Sequence, residues 1–203
     1  GCSALYNGLT VACCDPTAAP CGFGYSGPTM SDNSAFGASA LYHNGAGGNY
    51  NSAFGAYALY SNTSGDGNTA VGVQALHSIT TSPSSTAVGY QALLHATSGG
   101  NDAFGASALF SNTIGIGNTA VGLAALGHNT TGFDNVGVGV NAGHSLTTGN
   151  GNVCIGHNVL GVAGESNTTR IRNVYSSHAS GRAVYVNSDN KLGTLASSRR
   201  CKG

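Results

Sequence analysis

Apolar residues recur along this chain in short clusters, three to five residues long, at a nearly constant interval. The repeated phrase is roughly Asn-Thr-Ala-Val-Gly-x-x-Ala-Leu followed by a polar, Gly-rich tail. It starts at Asn33, Asn51, Asn68, Ser85, Asn101, Asn118, Asn135 and Asn152, at intervals of 18, 17, 17, 16, 17, 17 and 17 residues. A repeat this short cannot bury a core alone, so successive copies must stack on one another. Clusters of this length suit strands and are too short for helices. The pattern therefore predicts an all-β chain: a β-solenoid or β-roll of eight turns over 33–163, with two short strands in each turn. At the interstrand distance of about 4.8 Å, eight turns make a rod segment of roughly 38 Å.

Each place in the repeat has its own residue preference. Position 3 is Ala35, Ala53, Ala70, Ala87, Ala103 and Ala120, then Gly137 and Cys154; position 4 is Val, Phe or Ile throughout. Position 5 is always glycine: Gly37, Gly55, Gly72, Gly89, Gly105, Gly122, Gly139 and Gly156. A glycine fixed in every turn implies positive φ or a backbone approach with no room for a Cβ. Position 7, with Gln74 and Gln91 among Ser, Tyr, Ala and Asn, looks free to accept valine. Position 1 is Asn in all but one turn, an arrangement suited to an internal ladder of side-chain amides. The interior offers only small residues with one Val or Phe and one Leu per turn. Such a coil buries little apolar area, at about 25 cal/mol per Å². The economical remedy is a homotrimer in which the Leu and Val/Phe rows of three coils meet around a common axis, with a monomeric solenoid as the alternative.

The flanks differ from the shaft. Residues 1–32 carry Cys2, Cys13, Cys14 and Cys21 among Pro16, Pro20 and Gly22. That density reads as a small N-terminal cap stapled by disulfides in an oxidising compartment. Zinc fits poorly, because there is no Cys-x-x-Cys pair and Cys13-Cys14 are adjacent. Cys154 stands where its repeat has Ala and reads as a small buried filler. Residues 164–203 form a third, non-repeating C-terminal segment.

Charge narrows the function classes. Charged residues are 7% of the chain, and all seven basic ones (Arg170, Arg172, Arg182, Lys191, Arg199, Arg200, Lys202) follow Thr169. A shaft without a cation cannot neutralise phosphates, which argues against nucleic-acid binding. It also offers trypsin-like proteases nothing to cut before Arg170. With 40% hydrophobic residues, the chain lacks the signature of disorder. No apolar run reaches the roughly 18 residues of a membrane span. The chain begins at Gly1 rather than Met, as a processed or excerpted product would. Asn62, Asn129 and Asn167 head glycosylation sequons, which implies a surface loop if they are used.

Asn68-Thr-Ala-Val-Gly-Val-Gln-Ala-Leu76 and Ser85-Thr-Ala-Val-Gly-Tyr-Gln-Ala-Leu93 resemble the repeats of bacterial and phage trimeric surface fibres. These are related in style to the left-handed β-roll heads of trimeric autotransporter (YadA-like) adhesins. The resemblance covers about 130 residues of the chain and implies a repeat architecture of this kind. The stretch from Arg182-Ala-Val-Tyr-Val-Asn-Ser to Ala-Ser-Ser-Arg-Arg-Cys-Lys202 resembles the junction before an endosialidase-type intramolecular chaperone of tail fibres. In that family a junction Ser attacks the preceding peptide bond, assisted by a Lys five residues on. The resemblance assigns these roles to Ser197 and Lys202, the logic of a Ser–Lys dyad. Cys201 departs from the aromatic usual there.

Other chemistry is thin. His43, His95 and His128 fall at position 11 of non-adjacent repeats, after the apolar strands, and are expected in solvent rather than on a metal. Six acidic residues scattered over the first 169 supply no paired carboxylates for a glycosidase. Gly149-Asn-Gly-Asn-Val-Cys-Ile-Gly156 lacks the lysine of a phosphate loop. Thr69, Thr86 and Thr119 do not make a regular array, because Ser, Asp and Val share position 2. Tyr6, Tyr25, Tyr42, Tyr50, Tyr57, Tyr60 and Tyr90 could stack on sugar rings if they line the exterior. The expectation is a non-enzymatic structural fibre, extracellular or on a cell or virion surface, with no cofactor and no metal. Two alternatives stand beside it: a glycan-binding adhesin, and a filament whose subunits join end to end through the Cys-rich cap.

Overall fold

Three residues in each repeat, positions 2 to 4, pair with the same three residues of the next. The computed structural model describes residues 3–6, 9–12, 32–45, 47–172, 184–186 and 192–194, with side-chain environments for 32–45 and 47–172. The stacked strands are β3 (Ser34–Phe36), β4 (Ser52–Phe54), β5 (Thr69–Val71), β6 (Thr86–Val88), β7 (Asp102–Phe104), β8 (Thr119–Val121), β9 (Val136–Val138), β10 (Val153–Ile155) and β11 (Thr169–Ile171). All pair in parallel and in strict repeat register, as in Ala53↔Ala70 and Val88↔Phe104. The chain is thus a parallel β-solenoid of about eight turns, with no helix among the described residues.

One strand per turn is found where two were expected. The Ala-Leu segment at positions 8 and 9 is a succession of tight turns, with Ala58 N–H donating to the Gly55 carbonyl (3.2 Å) and Asn62 N–H to the Leu59 carbonyl (3.3 Å). It still binds the next level, Leu59 N–H donating to the Ala75 carbonyl at 3.0 Å. The reason lies in φ. Position 7 is left-handed in every turn, including Gln74 (φ 60) and Gln91 (φ 56), and position 9 is left-handed at Leu41, Leu59, Leu76, Leu93, Leu109 and Leu126. An extended strand cannot carry two such residues.

A leucine in the left-handed region costs roughly 1–2 kcal/mol, whereas burying its side chain contributes roughly 1.5–3 kcal/mol. Burial offsets the strain, and these leucines are fully enclosed within their own coil, with the alanines of positions 3 and 8 around them. Turn seven shows the volume being kept. There Gly143 replaces Leu at position 9, and Leu146, three residues on, is fully buried instead. A Cβ at Gly143 would lie 2.5 Å from Leu126 Cδ2 and 3.2 Å from Leu146 Cδ1, so the two leucines together fill the space.

The Val/Phe row does not join this core. The strands alternate with position 3 buried and position 4 turned out, so Phe36, Phe54, Val71, Phe104, Val121, Val138 and Ile155 are exposed. Leu and Val/Phe were expected to meet on a shared axis. Instead, alternation within the strand turns position 3 inward toward the leucines and position 4 outward, away from them.

The glycine row meets both of its anticipated demands. Gly55 has φ +136, and a Cβ there would lie 2.6 Å from the carbonyl carbon of Gly72. The closeness comes from the ladder itself, in which Gly55 N–H donates to the Phe36 carbonyl and Gly72 N–H to the Phe54 carbonyl, each at 2.7 Å.

The position 1 amides form the expected internal ladder. Asn33 Oδ1 accepts from Asn51 N–H (2.8 Å), Asn51 Oδ1 from Asn68 N–H (2.9 Å) and Asn118 Oδ1 from Asn135 N–H (3.0 Å). Each Nδ2 reaches across the coil to a carbonyl of its own turn, Asn51 to Gly65 (2.8 Å) and Asn118 to Gly132 (2.9 Å). Each level that carries an Asn at position 1 thus closes its circuit across the coil. At Ser85 the contact stretches to 3.4 Å, and Asn101 Nδ2 reaches the Gly99 carbonyl in its place. A second ladder runs at position 12. Asn62 Nδ2 donates to Asn44 Oδ1 (2.6 Å) and Asn129 Nδ2 to Asn112 Oδ1 (3.0 Å). Ile79, Ala96 and Leu146 interrupt it, and Asn129 Oδ1, facing the Leu146 level, has no hydrogen-bond partner. Threonines at position 13 add a third column, Thr97 Oγ1 donating to the Thr113 carbonyl and Thr113 Oγ1 to the Thr130 carbonyl, both at 3.0 Å.

Two further features lie at the ends. β1 (Ser3–Tyr6) and β2 (Leu9–Ala12) form an antiparallel pair, and β2 continues the sheet in parallel with β3. β11 carries the sheet past the expected end of the shaft at residue 163, and one compact unit spans Gly1–Arg172. The second unit, Asn173–Gly203, contains the antiparallel pair β12 (Val184–Val186) and β13 (Leu192–Thr194). The four N-terminal cysteines lie outside the described residues.

Two outcomes follow for stability. Gly89→Val should cost about 3 kcal/mol or more, combining strain at φ +140 with a collision on the Gly105 carbonyl. Gln91→Val, expected from sequence to be silent, should now cost about 1–2 kcal/mol, and Gln91→Gly should be near neutral. Thermal melting of the three variants checks the order, and a silent Gln91→Val would contradict the left-handed assignment. Asn118→Ala strands the Asn135 backbone N–H and takes one acceptor from the Asn135 Nδ2, while the Gly132 carbonyl keeps Asn129 as donor. The change should cost about 1–3 kcal/mol. Ser85→Ala should cost clearly less, because its one contact is long and Asn101 covers the neighbouring carbonyl.

Candidate functional site

The outer wall of the sheet is the surface feature that sets this coil apart. Positions 4 and 6 flank each glycine. Position 6 carries Ala38, Ala56, Val73, Tyr90, Ala106, Leu123, Val140 and His157, in register because Gln74 N–H donates to the Ala56 carbonyl and Gln91 N–H to the Val73 carbonyl, both at 2.9 Å. Large apolar side chains at both positions stand open to solvent, Phe36 at 52%, Tyr90 at 54% and Leu123 at 52%. Together the two columns make a stripe running through eight turns. Position 2 borders it on the same face of the strands with Ser34, Ser52, Thr69, Thr86, Thr119, Val136 and Val153, and one charge, Asp102. An apolar stripe of this extent is unusual on a surface meant for water alone.

Sequence reading singled out position 4 but placed it in the interior, and it overlooked position 6. The available signal was the run of Val73, Tyr90, Leu123 and Val140 beside an invariant glycine.

Aromatic and histidine side chains gather at the corner formed by positions 10 and 11. Tyr42 stacks on Tyr60 (centroids 5.4 Å, interplanar 10°), and Tyr60 stacks on His77 (5.1 Å, 12°). His43 meets both tyrosines edge-on. The faces of Tyr60 are thereby occupied by its neighbours, which leaves it no face for a sugar ring; Tyr50 and Tyr57 remain exposed. His43, His95 and His128 are exposed. His128 and His144, one turn apart, have ring centroids 4.0 Å apart. Among the described residues, no group of three or more His, Cys, Asp or Glu converges on one point.

The other residues singled out from sequence are scattered. Asn62 and Asn129 are fully buried, with both amides engaged in the position 12 ladder. A glycan on either would break that ladder, and of the three sequons only Asn167 is exposed. Cys154 is buried and free, and burial pushes its thiol up, as suits an unreactive filler. Arg170 pairs with Glu165, and Arg172 donates to the His157 carbonyl, at the C-terminal end of the unit. Ser197, Cys201 and Lys202 lie outside the described residues. Among the described residues, no helix is long and apolar enough to cross a membrane.

Burial, and then the charge of His128, hold His144 below the ordinary histidine value of 6.5; burial and then His95 do the same to His77. The unfolded chain therefore takes up these protons at higher pH than the folded coil. Their contribution to stability is complete above pH 6.5 and is lost as pH falls through the depressed folded values. Melting temperature should fall on acidification from about pH 7.5 to about 5.5, and His144→Gln should make the fall shallower. A slope identical in the variant would count against the His128–His144 contact.

No protein-family model, curated protein or solved structure matches this chain.

Proposed function

We propose that this chain is a non-enzymatic structural subunit of an extracellular or surface fibre, in which the solenoid forms a shaft and three copies wind together along the apolar stripe. The observation that carries this reading is the stripe itself. Phe36, Phe54, Val71, Phe104, Val121, Val138 and Ile155 stand exposed, level after level, on one face of a coil that already has its own filled core. Covering them contributes about 25 cal/mol per Å² of apolar area removed from water. Closed rotational symmetry lets identical stripes cover one another without leaving a free copy of the surface.

The chemistry elsewhere is consistent with a mechanical role. The polar interior is spent on amide ladders that tie turn to turn, and no cation precedes Arg170. The Ser197–Lys202 dyad belongs to this reading only as a self-cleavage device of a longer precursor. The glycan-binding alternative draws on exposed Tyr50 and Tyr57, and the filament alternative on cysteines outside the described residues.

Light scattering on the purified chain tests the reading. The expected mass is about three times the 20.0 kDa chain, with elongated particles in negative-stain images. A monodisperse 20.0 kDa species at concentrations of roughly 10 μM or more would overturn it. Phe54→Ser with Val71→Ser should shift the mass towards the monomer while leaving the solenoid's melting nearly intact, because both side chains are outside the single-coil core.

A further inference from the structure

The two columns of the stripe are matched in size. Phe at position 4 is always followed by Ala at position 6: Phe36 with Ala38, Phe54 with Ala56, Phe104 with Ala106. Val or Ile at position 4 always has a larger partner than Ala: Val71 with Val73, Val88 with Tyr90, Val121 with Leu123, Val138 with Val140, Ile155 with His157. The partners are two residues apart on the chain, within about 7 Å. On a wall open to water, side-chain volume has no upper bound, because added carbons extend into solvent. Bulk at one place exchanged for bulk at its neighbour is what a close-packed boundary demands.

Strand register makes these pairs into discrete levels. Phe36 lies beside Phe54, Phe54 beside Val71, Val88 beside Phe104 and Phe104 beside Val121. In chain order the levels are Phe–Ala, Phe–Ala, Val–Val, Val–Tyr, Phe–Ala, Val–Leu, Val–Val and Ile–His. That order is not reproduced by a one-turn shift or by reversal.

We propose that the position 4 and position 6 pairs fix the axial register in which a second copy of this chain docks, parallel and level upon like level. This rests on the reading that copies associate along the stripe. Closed symmetry requires equal heights, but backbone periodicity alone cannot select it over a staggered assembly, since a 17-residue coil slid by one turn presents the same ladder. Side-chain shape can. A one-turn slip sets the Val88–Tyr90 level against Phe104–Ala106 and the Phe54–Ala56 level against Val71–Val73. With position 4 of one copy packed on position 6 of the next, the slip sets Phe104 against Leu123 and Val88 against Ala106. Bulk then meets bulk at one level and a gap opens at another, so the level-on-level docking is preferred.

Two measurements test this. Chains carrying Val71→Cys are mixed with chains carrying Val88→Cys, assembled and oxidised, and the cross-links are located by peptide mass mapping. The expected result is 71–71 and 88–88 links; a dominant 71–88 link means a one-turn slip and overturns the proposal. In parallel, Phe104→Val, Ala106→Val and the double variant are compared by concentration-dependent light scattering. The double variant recreates the Val71–Val73 level. Each single change should weaken association roughly tenfold, and the double should return to within about threefold of the original. Losses that simply add, with no rescue in a protein that still assembles, overturn the register proposal while sparing the self-association reading. A parent chain that is monomeric throughout removes that reading itself. Should any variant fail to give the parent's circular dichroism, Phe54→Val with Ala56→Val repeats the cycle at an independent level.

Discussion

Successive turns of this coil approach until the backbone of one rests against a carbonyl of the next, and glycine at the fifth place of the repeat is what permits it. At Gly72 and Gly55 the contact leaves no space for a Cβ, and the same residues donate the 2.7 Å bonds that carry the strand ladder past its third residue. Once that spacing is imposed, like residues must lie over like residues. Amides then stack on amides, leucines fill one continuous column, and outward Val and Phe form an uninterrupted wall. A side chain at the glycine would force the levels apart and break all of these at once.

The interior shows how a narrow coil stays stable with few large residues. Alanine, leucine and asparagine nearly fill it. Leucine accepts a left-handed backbone because the burial it gains exceeds the strain it suffers. Asparagine is tolerated there because both ends of its amide are used, one towards the next level and one across the coil. Where the pattern lapses, the structure adjusts locally. Asn101 covers the carbonyl that Ser85 leaves open, and Leu126 and Leu146 together occupy the space that Gly143 vacates.

Because the core is satisfied within one chain, the exposed stripe is not needed for the solenoid to close. That separation gives the stripe its meaning. The two sides of the same three-residue strand therefore carry separate demands. Position 3 fills the coil and position 4 stands outside it, so position 4 can vary without disturbing the packed interior. Under the proposed fibre reading, the paired sizes at positions 4 and 6 serve association and not folding.

The sequence by itself determined the period, the strand register and the places of the glycine and asparagine rows. These depend on identity at a fixed interval, and a 17-residue spacing displays them directly in the eight starts from Asn33 to Asn152. It also showed that Cys154 substitutes for a buried Ala. The direction of the Val/Phe row was decided only by the tertiary structure, because a three-residue strand is too short for alternation to declare which side is the core. The left-handed backbone at positions 7 and 9 was hidden for a related reason. Gln91 and Leu93 carry no local mark of positive φ, and only the closure of the turn against its neighbours compels it. The burial of Asn62 and Asn129, whose triplets read as surface sequons, likewise became visible only when stacking brought Asn44 and Asn112 within reach of their amides.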